Sequence, residues 1–185
     1  MQILPYVALV VLWVVWFYPF VFRAPHFQKR ESITAAAPTR MGLLLECIAI
    51  ALAWSFRLPP SSPPGWARVA PAIALGVIAA VISWGAVKHL GRQFRLHAGL
   101  YVDHELVRTG PYAIVRHPIY ASLLAMLVCT QLMLTRWAWV PVSLALFFLG
   151  TEIRVRTEDR LLKSRFGEEF EAYRKRVPAY LPFVR

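Results

Sequence analysis

The sequence predicts an all-α integral membrane protein with about five transmembrane helices, and three observations lead there. Hydrophobic residues make up 58% of the chain and charged ones 17%, with a mean hydropathy of +0.49, whereas a soluble domain carries about 25% charged residues. The charges are clustered, so long stretches run almost free of them. Those stretches approach the length, about 20 residues, that a helix needs to cross a hydrocarbon core of about 30 Å. With 185 residues the chain is read as a single membrane domain, 1–185.

The first span runs from Ile3 to Phe22. It has no basic residue ahead of it and no small-residue cleavage site behind, so it is expected to be a retained helix and not a signal peptide. A second runs from Met41 to Phe56 and carries Glu46, a costly group inside a span. Because it sits about one helical turn from the cytoplasmic end, Glu46 is expected to reach the interface or to pair with a basic side chain. The stretch LPPSSPPGW, from Leu58 to Trp66, is a stiff, extended connector. The third span, Val69 to Val87, closes the N-terminal portion 1–87, with Lys88 and His89 as end anchors. The fourth, Ile119 to Leu134, and the fifth, Trp137 to Gly150, are separated only by Thr135 and Arg136. They predict a tight helical hairpin over 119–150 within the portion 88–185. Cys47 and Cys129 each lie in an apolar stretch without a partner at metal-ligand spacing. Both are read as small core-facing hydrophobes, with no metal expected.

Charge sets the orientation. With the C-terminus in the cytoplasm, the outer segments hold only Arg57, Arg68 and Arg136 of the 21 Lys and Arg residues, as the positive-inside rule requires. The net charge of +11 flanks apolar stretches and therefore suits anionic lipid headgroups. Nucleic acid is excluded as a partner: there is no RNA-binding aromatic motif, zinc-finger spacing or basic zipper.

Two polar segments must carry the chemistry, from Lys88 to His117 and from Thr151 to Arg185. Residues 104–120 read HELVRTGPYAIVRHPIY. Gly110-Pro111 marks a turn, Pro118 suits a first helical turn, and His117 falls at the cap position. The chain thus enters the fourth span at a helix N-terminus, whose N–H groups and partial positive charge favour an anion. Taken singly, Arg116 is a headgroup anchor, His117 an N-cap, and Tyr112 and Tyr120 members of an interfacial aromatic belt. The second segment extends the fifth span. Leu162, Phe166, Phe170, Tyr173 and Val177 form an amphipathic stripe, with Gly167 as a break. Arg154 and Glu158 are four apart on one helix face, and taken singly they are a solvated ion pair.

Together these segments resemble the isoprenylcysteine carboxyl methyltransferases and the wider group of integral-membrane methyltransferases that includes phospholipid methyltransferases. Four elements match in order: HELV followed by GPYAIVRHPIY, a helical hairpin, Arg154 with the acidic pair Glu158-Asp159, and FGEEFEAY with RVPAYLPFV. The likeness covers about residues 85 to 185. It implies that the loop and the C-terminal amphipathic helix form a pocket for S-adenosyl-L-methionine. By the same likeness His104, Glu105, Leu106, Val107, Tyr112, His117, Pro118, Ile119 and Tyr120 line the cofactor site. Glu158 is the acidic cofactor contact, and Arg154 holds the substrate carboxylate, these two being the catalytic pair. Where the family commonly has a Gln, seven positions before the HELV element, this chain has His97. The implied reaction is carboxyl O-methylation of a prenylcysteine-like lipophilic acid at the cytoplasmic face of a prokaryotic inner membrane or an endoplasmic reticulum membrane.

The chemistry suits these residue types. A carboxylate is already ionised at pH 7, so alignment matters more than a base, and a planar guanidinium grips a carboxylate through two bonds. Methylation of a phospholipid amine or a small thiol is the alternative, and it would need a base. A membrane sterol or enone reductase would need room for a second nucleotide. A non-catalytic transport protein would be expected to show broken helices or inverted repeats, and the sequence has neither.

Overall fold

The computed structural model describes residues 3–22, 32–34, 36–59, 61–94, 99–101 and 104–182. Hydropathy decides the long elements: α1 (Leu4–Phe22), α2 (Ala36–Ser55), α3 (Trp66–Leu90) and α5 (Val140–Phe166) are each long and apolar enough to cross a membrane. Between α3 and α5, α4 (Pro118–Leu134) has 17 residues, the short end of the spanning range. The chain is therefore a multi-pass membrane protein of helical class. Its outward faces are apolar, with Val7, Val14, Phe22, Val77 and Val81 exposed, as lipid contact requires.

Helix lengths place the polar chemistry. At 1.5 Å per residue the 27 residues of α5 span about 40 Å, so its charged C-terminal turns extend beyond a core of about 30 Å. Gly167, with φ +51, ends α5 and starts α6 (Glu168–Arg176), the break expected of that glycine. Phe170 and Tyr173 of the predicted stripe are buried under α6.

Packing departs from the predicted hairpin. Although the α4–α5 connection is short, α4 packs chiefly along α3 and α5 chiefly along α2. Small residues are the reason. Gly76 of α3 faces Leu12 and Cys129, and Gly42 of α2 meets Gly150 of α5 backbone to backbone. Neutral hydrogen bonds pin the contacts: Trp13 to Thr130, Trp16 to Ser122, and Gln131 to Ser143, whose hydroxyl donates to the Ala49 carbonyl. At the C-terminal end of α4 Arg68 donates to the carbonyls of Gln131, Leu132 and Thr135, satisfying the last turn of that helix. Cys129 is buried as expected, but Cys47 is exposed; with Glu46 turned inward, its neighbour faces out, about 100° round the helix.

Two short strands were not foreseen. Ser32–Thr34 (β1), just before α2, pairs antiparallel with Gly99–Tyr101 (β2), just before the HELV element. His97 and the last two residues of the RVPAYLPFV ending, 183–184, lie outside the described residues.

Candidate active site

The N-terminus of α4 and the C-terminal segment are joined by the backbone itself. The N–H groups of Arg116 and His117 donate to the carbonyls of Pro178 and Ala179, at 2.8 and 2.7 Å. Val177 and Pro178 force an extended strand-like exit from α6, which leaves those carbonyls free for the pairing. Beneath this seam lies a cavity of about 470 Å³, within the range of roughly 300–1,000 Å³ of small-molecule sites.

Every residue that the resemblance assigned to the cofactor or substrate lines that cavity. His104, Glu105, Leu106 and Val107 form one wall, Tyr112 comes from a 3₁₀ turn over Gly110–Ala113, and His117 to Tyr120 come from the start of α4. Arg154 and Glu158 enter from α5. The opposite wall is apolar and comes from within the membrane: Trp16, Phe17 and Phe20 of α1, Leu43 of α2 and Leu123 of α4.

A chain of charges runs through the polar end. Both nitrogens of His117 face carboxylates, Nδ1 at 3.2 Å from Glu158 and Nε2 at 2.9 Å from Asp159. Burial alone would lower the pKa of this imidazole, but the hydrogen bonds to Asp159 and Glu158 more than reverse that and hold it at about 9. His117 is thus a cation at neutral pH, donating from both sides, and it makes no side-chain cap to α4. Asp159 also receives Arg116 Nη2 at 3.0 Å, while Arg116 Nη1 donates to the carbonyls of Arg174 and Val177. Glu158 accepts from the Tyr120 hydroxyl. Nearby, the Tyr173 hydroxyl donates to the Tyr112 carbonyl at 2.5 Å; burial pushes its pKa up to about 12 and that of Tyr112 higher still, so both phenols stay neutral.

Arg154 and Glu158 do not form the solvated pair that their spacing suggests. The Arg154 guanidinium lies 4.8 Å over the Tyr120 ring and donates from Nη1 to Glu46 at 2.5 Å. Glu46 therefore takes the pairing option and not the interface. Arg116 is buried and is not a headgroup anchor, and Tyr112 and Tyr120 are buried and are not an interfacial belt. The sequence reading missed Arg116 as a site residue and Asp159 as the residue binding His117. The adjacent Arg116-His117 and Glu158-Asp159 doublets were the only signal, since each doublet supplies two of the four charges. Among the described residues no three His, Cys, Asp or Glu side chains come together in a way that would hold a metal ion.

A sulfonium nucleotide fits what is present. Glu158 supplies an anion for its cationic groups, aromatic rings supply faces for a cation or a purine, and the N-terminus of α4 suits a carboxylate.

Comparison with known proteins points the same way. Residues 72–164 match the family described as the isoprenylcysteine carboxyl methyltransferase (ICMT) family. The probable protein-S-isoprenylcysteine O-methyltransferase of Oryza sativa subsp. indica is 31% identical over 176 residues, covering 87% of each chain. Protein-S-isoprenylcysteine O-methyltransferase of Schizosaccharomyces pombe is 39% identical over 83 residues, 44% of this chain but 35% of that relative. The chain also resembles the cobalt-zinc-cadmium resistance protein CzcN of Cupriavidus metallidurans, 37% identical over 92 residues, 48% of this chain and 42% of that one.

Proposed function

This chain belongs to the isoprenylcysteine carboxyl methyltransferase family, and we propose that it methylates the carboxylate of a prenylcysteine-like lipophilic acid at the cytoplasmic face of its membrane. S-adenosyl-L-methionine, held by residues 104–107, Tyr112, His117 to Tyr120 and Glu158, supplies the methyl group as an electrophile on a sulfonium. Arg154 holds the acceptor carboxylate and aligns it. The observation that carries the reading is one cavity with two natures, a charged end at Arg154, Glu158 and His117 and an apolar wall of Trp16, Phe17, Phe20 and Leu43. An amphiphile with an anionic head and a long hydrocarbon tail suits both ends.

A second observation favours a carboxylate over an amine or thiol. Those nucleophiles must lose a proton, and His117 holds a proton on each nitrogen between two carboxylates. The side chain best suited to act as a base is thereby engaged, whereas an ionised carboxylate needs none.

The test is incubation of the purified membrane protein with methyl-labelled cofactor and a panel of N-acetyl-S-farnesylcysteine, phosphatidylethanolamine and an alkanethiol. A base-labile labelled product from the farnesylcysteine alone is expected. Label in the lipid amine or the thiol, with none in the acid, would sink the reading. Titration with S-adenosylhomocysteine and with NADPH separates it from a reductase, since only the first should bind.

A further inference from the structure

We propose that Glu46 is the permanent counter-charge of Arg154, a positioning residue that keeps the guanidinium from gripping the acceptor carboxylate too tightly and keeps it paired once that carboxylate's charge is gone. The proposal rests on the methyl-transfer reading above. Glu46 comes from α2, outside the matched residues 72–164. Its carboxylate is 1% exposed, with Oε2 on Arg154 and Oε1 accepting from the Thr151 hydroxyl at 2.9 Å. Arg154 lines the cavity and Glu46 stands behind it.

The helices are shaped around this pair. Gly42 precedes Glu46 by one turn, and Gly150 precedes Arg154 by one turn. A Cβ at Gly42 would come 2.5 Å from Arg154 Cγ and 2.6 Å from the Gly150 carbonyl oxygen. A Cβ at Gly150 would come 2.5 Å from the Gly42 carbonyl oxygen and 3.2 Å from Glu46 Cγ. Each charged stem crosses the glycine of the opposite helix, so the notch holds these two side chains and no bulkier arrangement.

The reaction explains why a clamp needs a second anion. A lone pair on the acceptor oxygen forms the bond to the methyl carbon as the carbon–sulfur bond breaks and its electrons stay on sulfur. The carboxylate's negative charge and the sulfonium's positive charge vanish together, and no proton is released. An arginine paired only with the acceptor would be left as a buried, unpartnered cation, which is costly. Such a clamp favours the ionised ground state over the transition state and slows the chemical step. With Glu46 behind it, Arg154 stays paired before, during and after transfer.

The decisive variant is Glu46→Gln, which keeps the shape and removes the charge. Dissociation constants are measured for S-adenosylhomocysteine, for N-acetyl-S-farnesylcysteine and for the carboxamide of that acid. Steady-state constants are measured alongside. Affinity for S-adenosylhomocysteine and for the carboxamide should be unchanged. The acid should bind about fivefold more tightly, and kcat and KM should fall together, the pattern of lost ground-state destabilisation. A purely structural pair predicts the opposite: weaker or unchanged acid binding, or loss of S-adenosylhomocysteine affinity as well, and either result would overturn the proposal. If the wild-type protein binds acid and carboxamide alike, the methyl-transfer reading of Arg154 fails first, and the proposal with it. Should Glu46→Gln not fold, Arg154→Gln is compared with the double variant E46Q/R154Q, which leaves no buried charge unpaired. The double variant must bind the acid more tightly than Arg154→Gln does, and equal affinities would overturn the proposal.

Discussion

Two arginines meet at the same cavity and are held in opposite ways. Arg116 gives both terminal nitrogens to the protein, Nη2 to Asp159 and Nη1 to two carbonyls of the C-terminal segment. Arg154 has Glu46 as its hydrogen-bond acceptor among the described residues, while the Nε of each arginine is buried without an acceptor. The first is a lock that fastens the C-terminal segment over the cavity. The second keeps donor capacity, as a group that must accept a ligand does. Arg116 is buried and Arg154 half-buried, each beside a carboxylate; what separates their roles is the number of partners.

The largest effect should come from breaking the lock. Arg116→Ala removes the clasp to Arg174 and Val177 and leaves Asp159 with His117 alone. Breaking a buried pair by removing one partner costs about 3–5 kcal/mol. Thermal unfolding in detergent should show that loss, with faster proteolysis after α5 and no detectable S-adenosylhomocysteine binding. An intact midpoint would dissolve the contrast between the two arginines.

Arg154→Ala should behave differently. Turnover should fall about 100-fold, the scale that misplacement of a reacting group produces, while S-adenosylhomocysteine affinity stays close to that of the wild type. Glu158→Gln sharpens the division. It removes an anion that His117 and Tyr120 hold in place, so cofactor affinity should fall roughly tenfold, as for a hydrogen bond to a charged group. If calorimetry finds the two variants equally weak for the cofactor, Arg154 belongs to the cofactor side and the division is lost.

The pH dependence follows from His117. Its pKa in the folded protein, about 9, lies above the ordinary 6.5, so the fold favours the protonated form. The stabilisation is complete below about pH 6.5 and is lost as pH rises through about 9. Midpoints measured from pH 6 to pH 10 should decline more steeply for the wild type than for His117→Gln. Parallel curves would mean that the imidazole is not clamped between Glu158 and Asp159.

Legibility in the sequence divides along the same line. Hydropathy located the long helices, because burying apolar residues in lipid is a local property of composition. The loop and C-terminal segment that line the cavity were legible because the elements that carry the family resemblance are contiguous runs, HELV, GPYAIVRHPIY and FGEEFEAY. The partners of the charges were not. Arg116 stands at a helix entrance, where a headgroup anchor is the ordinary reading, and only the C-terminal segment folding over it makes it buried. Glu46 finds Arg154 108 residues away, a separation that no local pattern encodes. Gly42-x-x-x-Glu46 and Gly150-x-x-x-Arg154 carried a trace of the pairing, a small residue one turn before each charge, but only the close approach of the helices gives it meaning. The β1–β2 pairing also went unseen, since three-residue strands have too few side chains to show a period of two.

The smallest effect belongs to the middle of the bundle, where the bonds are neutral. Trp13 Nε1 donates to Thr130 Oγ1 at 3.0 Å, and the Thr130 hydroxyl in turn donates to the Met126 carbonyl at 2.8 Å. Trp13→Phe takes away the indole donor but leaves the threonine proton satisfied within its own helix, so no buried donor is stranded. Hydrogen bonds between membrane helices average about 0.6 kcal/mol, and a loss of that order in unfolding is expected, with S-adenosylhomocysteine affinity and turnover unchanged. A drop comparable to that of Arg116→Ala would place the stability of the charged site in the membrane interior. The two ends of the molecule would then be one cooperative unit, and not a sturdy apolar frame carrying a charged site fastened by a few strong pairs.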